Sequence, residues 1–349
     1  MNVIQVLNKN ALTICSVLLF TAAPLQATGS SGFNWNNLRS DLAGVAERVD
    51  SNLINPWGMA LSSSGQIWVA NNGTGVATVY FGDGSPAPSS SNPLIATIPA
   101  SATNAEGANP TGLVANNTQF FKVTKNANSL PAKFIFVSED GVISGWNQSL
   151  DPTNAIIAID NGASDAIYKG ATIGVSNGHS FLFVTNFHAG TVETYDENFQ
   201  PVATLGGFID PNLPAGYAPF GIRVFDGKVI VTYALQDANM EDDVAGAGNG
   251  FVNVFNTKGQ LQKRLISQGR LNSPWGLAIV QGQLWVGNFG DGKINVYNPS
   301  SGNFIGNPRT WRGTPLAFDG LWDLLLFRGG LYFTAGIADE EHGLFGVIF

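Results

Sequence analysis

Histidines and clustered carboxylates in short turns are the residues of this chain best suited to chemistry. His188 lies in a turn rich in Asn, Gly and Ala, and His342 directly follows an acidic run. A second acidic run spans 237–243. Neutral imidazole with carboxylate suits zinc or another first-row transition metal, whereas carboxylate oxygens alone suit calcium. We therefore expect a divalent metal, zinc or calcium, with the candidate ligands His188, His342, Asp242 and Asp243.

The same residue types also have an ordinary structural explanation. Asp, Asn and Gly are favoured in turns because they tolerate left-handed backbone and cap their own amides. No metal-spaced His-x-x-x-His pair occurs, and the run 237–243 lacks the spacing and the closing Glu of an EF-hand loop. The third histidine, His179, is expected to be structural. A metal site and a solvated acidic surface therefore remain alternatives.

These turns belong to a chain that repeats itself. The phrase Asn-Pro-Trp-Gly-Met-Ala at 55–60 returns as Ser-Pro-Trp-Gly-Leu-Ala at 273–278, and weaker copies bring the total to six. Such self-similarity at a nearly constant period marks a repeat architecture. The aligned positions, between 47 and 58 residues apart, are Gly58, Gly112, Gly170, Gly221, Gly276 and, in the last copy, Asp323.

Each repeat predicts three or four short strands. Apolar runs of four to seven residues, dense in β-branched and aromatic residues and bounded by turns, are typical of strands rather than helices. Six such units predict an all-β fold, a six-bladed β-propeller, because radial repetition buries blade faces while leaving only short edges. The sixth unit has only three runs, so we expect the N-terminal segment 36–43 to supply its outer strand and close the ring.

Charged residues that interrupt the repeat mark the predicted channel. Asp323 stands where the other five repeats have glycine, Arg223 where two have alanine, and Lys169 where three have tryptophan. Unpaired charges on innermost strands are costly, so these should line a wet channel or pair there. Loops between blades and the turns between second and third strands are expected to share one mouth. The ligand-binding residues predicted there are Lys169, Arg223, Asp323 and Glu340.

The predicted ring also limits the metal hypothesis. His188 and His342 fall in the third and sixth blades, opposite each other, so they could share a metal only across the central axis. Three tryptophans at the inner strands have two interpretations, an aromatic surface for a sugar or apolar ligand and packing between blades. They are Trp57, Trp275 and Trp322.

The first 27 residues are expected to be a secretory signal peptide. Lys9 precedes an uncharged apolar stretch at 11–25, which ends at Leu-Gln-Ala before a Ser- and Gly-rich segment. A membrane span fits less well, because it needs about twenty apolar residues. We therefore expect a secreted or periplasmic protein in which 28–349 form a single propeller domain.

The charge balance favours some partners over others. The chain has 17 Lys and Arg against 25 Asp and Glu, a net charge of −8, and removal of 1–27 would delete its one cysteine. Nucleic acid or an anionic membrane surface would require a basic patch, so neither is expected as a partner. Cationic ligands and divalent metals fit better. We expect a monomer with no membrane span after signal removal, and a small-molecule, sugar or protein ligand.

Several long phrases resemble an uncharacterised family of exported bacterial proteins, some of which carry a PEP-CTERM-type sorting tag. The resemblance spans roughly 38–349 and implies a six-bladed propeller related to NHL-repeat and gluconolactonase-like proteins, with no reaction assigned. The phrases that carry it lie at 55–58, 185–192, 210–220, 242–246, 334–337 and 340–346.

Two classes of function follow from these observations. The first is an extracytoplasmic binding or scaffold protein that presents an acidic face to a ligand, partner or cation. The second is a metal-dependent lyase or hydrolase with its site at the channel mouth. Fold alone does not decide between them, so whether the protein is an enzyme stays open. Binding is favoured because the candidate ligands are few and scattered.

Overall fold

The computed structural model describes residues 32–104 and 107–349, and its sheets form six blades around a central channel. The predicted six-bladed, all-β propeller is confirmed. The predicted signal peptide at 1–27 lies outside the described residues. Helical structure in the described ranges is confined to the three-residue 3-10 turns Asn72–Thr74 and Gly162–Ser164, so no helix there is long and apolar enough to cross a membrane.

Blades 1 to 5 are antiparallel sheets built from consecutive strands, named A to D from the channel outwards. The strands of blade 1 are Pro56–Leu61, Ile67–Asn71, Val76–Tyr80 and Ile95–Thr97. Those of blade 2 are Pro110–Ala115, Phe134–Ser138, Val142–Trp146 and Ile156–Asp160. Blade 3 has three, Tyr168–Ser176, His179–Asn186 and Thr191–Tyr195. Those of blade 4 are Tyr217–Phe225, Lys228–Leu235, Phe251–Asn256 and Leu261–Ser267. Those of blade 5 are Pro274–Val280, Gln283–Asn288, Ile294–Tyr297 and Phe304–Gly306.

Two small hairpins are inserted into this pattern. One pairs Pro88–Ser89 with Asn92–Pro93 between strands C and D of blade 1. The other pairs Lys122–Lys125 with Asn128–Pro131 between strands A and B of blade 2. Both extend the turns of their blades without interrupting the ring.

The sixth blade joins the two ends of the described chain. Its strands A to C are Leu321–Phe327, Gly330–Ile337 and His342–Ile348, and its fourth strand is the N-terminal segment Trp35–Ser40. The short strand Arg48–Val49 adds to its outer edge in parallel. Closure through an N-terminal strand is therefore confirmed, although the strand ends three residues earlier than the predicted limit at 43.

The apolar core is divided among the junctions between blades. Six clusters of buried side chains each join two neighbouring blades, and a seventh, aromatic cluster fills the centre. The cluster between blades 6 and 1 includes Leu38, which is 3% exposed, beside Tyr80 and Phe345. No blade buries both faces alone, so the ring folds as one unit.

The repeated glycine of the inner strand allows neighbouring strands A to approach closely. A Cβ atom placed on Gly221 would lie 2.2 Å from the carbonyl oxygen of Trp275, and one on Gly276 would lie 2.4 Å from that of Trp322. In blade 6 the position holds Asp323, whose carboxylate accepts a hydrogen bond from the Met59 amide at 2.8 Å. A polar contact thus replaces the close glycine approach where the ring closes.

Candidate functional site

An aromatic cluster closes the centre of the channel. Trp57 and Trp322 stack with ring centroids 3.3 Å apart, and Trp275 meets both edge-on at 6.0 Å. Phe187 and Phe220 complete the contacts around them. The three tryptophans are at most 6% exposed, so they pack between blades and do not present an open aromatic surface to a sugar.

Arg223 and Asp323 pair with each other inside the channel. The Arg223 Nη2 atom lies 2.9 Å from both carboxylate oxygens of Asp323, and its Nη1 donates to the carbonyls of Leu277 and Leu324. Burial raises the pKa of Asp323, whereas Arg223 and the Met59 amide favour the ionised form. Both residues line a cavity of about 10 Å³, room for at most one water molecule, and Arg223 also lines an open cavity of about 440 Å³.

The predicted mouth residues are divided between two sets of contacts. Lys169, Arg223, Asp323 and Glu340 were expected to converge there. Arg223 and Asp323 instead pair with one another, because the guanidinium reaches the one inner strand of the described blades that carries a carboxylate. Lys169 and Glu340 belong to a separate network.

Lys169 is the buried cation of that network. Its side chain is 2% exposed and contacts Glu139 closely, while Asp242 Oδ1 lies 3.1 Å from its Nζ. The ammonium also lies 5.3 Å from the Trp57 ring centroid and 5.7 Å from that of Phe187. Burial would lower the pKa of Lys169, but the two carboxylates raise it above its ordinary value. Lys169 is therefore a fixed positive charge at neutral pH and not a nucleophilic amine.

Two buried asparagines connect this cation to Glu340. Asn72 donates to Glu139 at 2.7 Å, and Asn55 donates to Glu340 Oε2 at 2.6 Å. The two amides are in contact at 3.4 Å, and the indole of Trp322 donates to Asn55 at 2.9 Å. The aromatic cluster therefore orients the amide that holds Glu340.

The charges at this mouth are unbalanced. Glu139, Asp242, Asp243 and Glu340 surround Lys169, and we call these five residues the acidic mouth. Burial raises the pKa of Glu340 to about 7, with the Glu139 charge adding to the shift. Burial also raises the pKa of Asp243 to about 6, with Asp242 adding to it and Lys169 opposing it. Burial thus leaves Glu340 partly protonated near pH 7 and Asp243 partly protonated near pH 6, in a mouth where four carboxylates surround one ammonium.

The candidate metal ligands are not brought together. His342 Nδ1 lies 2.6 Å from Asp41 Oδ2, just past the closing strand, and Asp41 also accepts the Gly343 amide at 2.8 Å. His188 Nδ1 is buried without a hydrogen-bond partner in the described ranges. Within residues 32–104 and 107–349, no group of three or more His, Cys, Asp or Glu is arranged to hold a metal. His179 is the exposed first residue of strand B in blade 3, and its Nδ1 lies 3.6 Å from Glu197 Oε1.

This geometry separates the candidate metal ligands and shows a mouth residue that sequence reasoning missed. Of His188, His342, Asp242 and Asp243, the two aspartates lie in the acidic mouth, while His342 is held by Asp41 at the blade 6 edge. Glu139 was missed. It directly follows strand B, a position held by Asn72 in blade 1 and Phe187 in blade 3. Aligning that position across the repeats would have identified a ring of mouth residues.

The chain is similar to viral proteins of unassigned activity. No protein-family profile matches it. One uncharacterised protein of Acanthamoeba polyphaga mimivirus is 28% identical over 330 residues, covering 90% of this chain and 79% of that protein. A second uncharacterised protein of the same virus is also 28% identical over 330 residues, covering 89% of this chain and 84% of that protein.

Solved structures of low identity share the fold. A streptogramin B lyase superposes with a TM-score of 0.54 at 12% identity, covering 91% of this chain and 98% of that one. Virginiamycin B lyase from Staphylococcus aureus superposes with a TM-score of 0.52 at 13% identity, covering 90% of this chain and 99% of that one. A protein of unknown function from Bacteroides thetaiotaomicron superposes with a TM-score of 0.56 at 10% identity, covering 91% of this chain and 76% of that one. These similarities establish a propeller fold with lyases among its structural neighbours.

Proposed function

We propose that this propeller is a binding protein whose acidic mouth takes a cationic ligand. The observation that carries the proposal is the excess of carboxylate over ammonium among partly buried groups, where burial raises the pKa of Glu340 to about 7 and that of Asp243 to about 6. A cation entering between these groups would supply the missing positive charge. Its binding would favour their ionised forms and release protons.

Proton release gives a direct test by titration calorimetry. Calcium chloride, zinc chloride and 1,4-diaminobutane are titrated separately into the full protein at about pH 6.5, in two buffers that differ in ionisation enthalpy. We expect at least one cation to bind with a buffer-dependent heat. Glu340→Gln should weaken its binding about tenfold or more and remove most of the buffer dependence.

A neighbouring acid provides the matched control. Glu341 is exposed and directly follows Glu340, so Glu341→Gln changes the net charge equally without altering the acidic mouth. It should bind the cation like the unsubstituted protein. Equal weakening by both substitutions would show nonspecific surface attraction, and no binding of any of the three cations would reject the proposal.

The expected divalent metal is one form of this ligand. Carboxylates predominate in the acidic mouth and His342 is engaged by Asp41, so the donor set favours calcium over zinc. Elemental analysis of the purified protein would show which metal copurifies. Loss of a stoichiometric metal in Asp243→Asn, but not in His342→Ala, would support carboxylate binding.

We also propose that the protein acts outside the cytoplasm as a monomer. The apolar stretch at 11–25 supports a signal peptide at 1–27, and with it a single domain at 28–349 and a secreted or periplasmic location. An intact mass of protein from the exported fraction tests this directly. A mass that still includes residues 1–27 would contradict it.

A second candidate function is proton-transfer catalysis, as in a lyase or hydrolase. The supporting observation is the pKa of Glu340 near 7, which suits a general acid or base at neutral pH. Incubation with virginiamycin B and simple sugar lactones, followed by mass spectrometry, would test it. Turnover that disappears in Glu340→Gln and persists in Glu341→Gln would favour an enzyme, whereas unchanged substrates would favour binding alone.

A further inference from the structure

We propose that the outer edge of blade 3 binds an extended segment of a partner protein as a fourth strand. Blades 1, 2, 4 and 5 each carry a strand D, and blade 6 receives Trp35–Ser40 in that position. In blade 3 the outermost strand of the described sheet is Thr191–Tyr195. The other blades show what fits such an edge, which is an antiparallel extended chain.

The chain starts to fill this position and then leaves it. Val202 donates its amide to the Thr194 carbonyl at 2.9 Å, and Pro201 forms a bridge with Tyr195. From Gly206 onward the backbone pairs instead with the turn of blade 4, where the Gly206 amide donates to the Lys258 carbonyl at 2.9 Å. One end of the blade 3 edge is therefore covered and the other is not.

The open backbone groups can be assigned from the alternation of a strand. Successive residues direct their amide and carbonyl groups to opposite sides. Because the Thr194 carbonyl faces outward to Val202, the amide and carbonyl of Val192 face the same outer side, while those of Glu193 face strand B. The side chain of Val192 packs in the core and the residue is 9% exposed, so what it offers an added strand is its outward amide and carbonyl.

A groove of about 650 Å³ runs beside this edge, a size within the range of about 300–1,000 Å³ typical of ligand sites. Glu193 is the one charged residue in its described lining. Its carboxylate is already bound by Asn186 at 2.7 Å, Tyr168 at 2.8 Å and Tyr195 at 2.5 Å. The groove therefore matches an uncharged segment and has no free charge to pair with an ionic one.

Exposed apolar residues adjoin the groove. Leu205 is 78% exposed and Ile209 is 65% exposed, both on the loop that leaves the blade 3 edge, whose residues Thr204 and Gly207 line the groove. An added strand gains affinity from main-chain hydrogen bonds and specificity from its alternate side chains. The occupant is therefore an extended, neutral segment rich in apolar residues.

A peptide with the sequence of residues 154–159, Asn-Ala-Ile-Ile-Ala-Ile, is a suitable probe because it includes the start of this protein's own blade 2 strand D. The capped peptide is titrated into the full protein, and hydrogen exchange is followed residue by residue. We expect saturable binding with a Kd below about 1 mM. The Val192 amide should gain protection and the Glu193 amide should not. Lack of saturation, or protection confined to other blades, would overturn the proposal.

Backbone methylation tests the mode of binding without altering the protein. Two peptides are N-methylated at odd or at even positions, so that one loses the amides that face the edge and the other keeps them. We expect one to bind about tenfold or more weakly than the other, and equal binding would overturn strand addition.

A protein variant tests the location. Val192→Pro removes the outward amide and should weaken binding of the unmodified peptide about tenfold, whereas Ala215→Pro, at an exposed position outside the groove, should not. If Val192→Pro fails to fold, the methylated peptides still test strand addition on the unsubstituted protein. If the protein forms dimers that Val192→Pro converts to monomers, the occupant is a second copy and the proposed partner is wrong.

Discussion

Arg223 and Asp323 form an ion pair between the inner strands of blades 4 and 6, in which Arg223 Nη2 lies 2.9 Å from each carboxylate oxygen. Blade 5 lies between them in the ring. Asp323 also accepts the amide of Met59 in blade 1, so one carboxylate ties three blades together at the point of closure. This pair therefore stabilises the ring, with the carboxylate of Asp323 buried and the side chain of Arg223 still 23% exposed.

Removing one partner of this pair should be strongly destabilising. Arg223→Leu leaves the buried Asp323 carboxylate without its cation, and we expect the free energy of unfolding to fall by about 3–5 kcal/mol in chemical denaturation. Lys293→Ala, which removes a partly exposed ion pair with Asp291, should cost less than about 1 kcal/mol. A loss at Arg223 no larger than that of the control would contradict the assigned role.

Placing the glycine of the other repeats at position 323 should recover part of the free energy of unfolding that Arg223→Leu loses. The double change Arg223→Leu with Asp323→Gly leaves no unpaired charge and places glycine where five other blades have it. We expect the double variant to be more stable than Arg223→Leu alone. An additive further loss would show that the Met59 contact outweighs the buried charge.

The acidic mouth should make the protein less stable as pH rises towards neutrality. The pKa of Glu340 is raised from 4.5 to about 7, so the folded state binds more protons than the unfolded state between these values. The free energy of unfolding therefore falls as pH increases through that window. Glu340→Gln should be more stable than the unsubstituted protein at about pH 8, on the order of 2 kcal/mol, and similar to it near pH 4. Denaturation curves at both pH values test this, and an identical pH dependence would contradict it.

Lys169 should contribute most to the free energy of unfolding at pH values where the surrounding carboxylates are ionised. Lys169→Met keeps the apolar stem but removes the cation shared by Glu139 and Asp242, at a cost of about 3–5 kcal/mol near pH 8. The cost should be smaller near pH 5, because Asp243 and Glu340 are then protonated. Lys228→Met, at an exposed position, should have little effect at either pH. An equal loss for Lys169→Met at both pH values would point to lost packing instead.

Closure of the ring should depend on the N-terminal strand. Leu38→Ala opens a cavity in the cluster between blades 6 and 1 and should reduce the free energy of unfolding by about 2–5 kcal/mol. Val49→Ala is the matched control, since Val49 lies on the same blade but is 51% exposed. Thermal and chemical unfolding of both variants would show whether closure through Trp35–Ser40 stabilises the whole propeller. Equal stabilities would argue that the strand is dispensable.

The sequence alone was sufficient to predict the ring. Short apolar runs and turn residues report strands locally, and the returning Pro-Trp-Gly phrase sets the number of blades. Asp323 could be recognised as exceptional because it replaces a glycine that the other five repeats share. The end of the closing strand was placed too late, because Asp41 leaves the strand to bind His342, a contact between residues 301 positions apart.

Tertiary structure decided which charges meet. Arg223 and Asp323 are 100 residues apart, and Lys169 and Asp242 are 73 apart. Repeat position shows that a residue lies on an inner strand or in a mouth turn, but not how deep its charged atoms reach or across how many blades. Partner choice depends on side-chain length, burial and the positions of the blades around the ring, and these exist only once the ring has closed. The imbalance of charge around Glu340 is therefore a property of the assembled propeller and not of any one repeat.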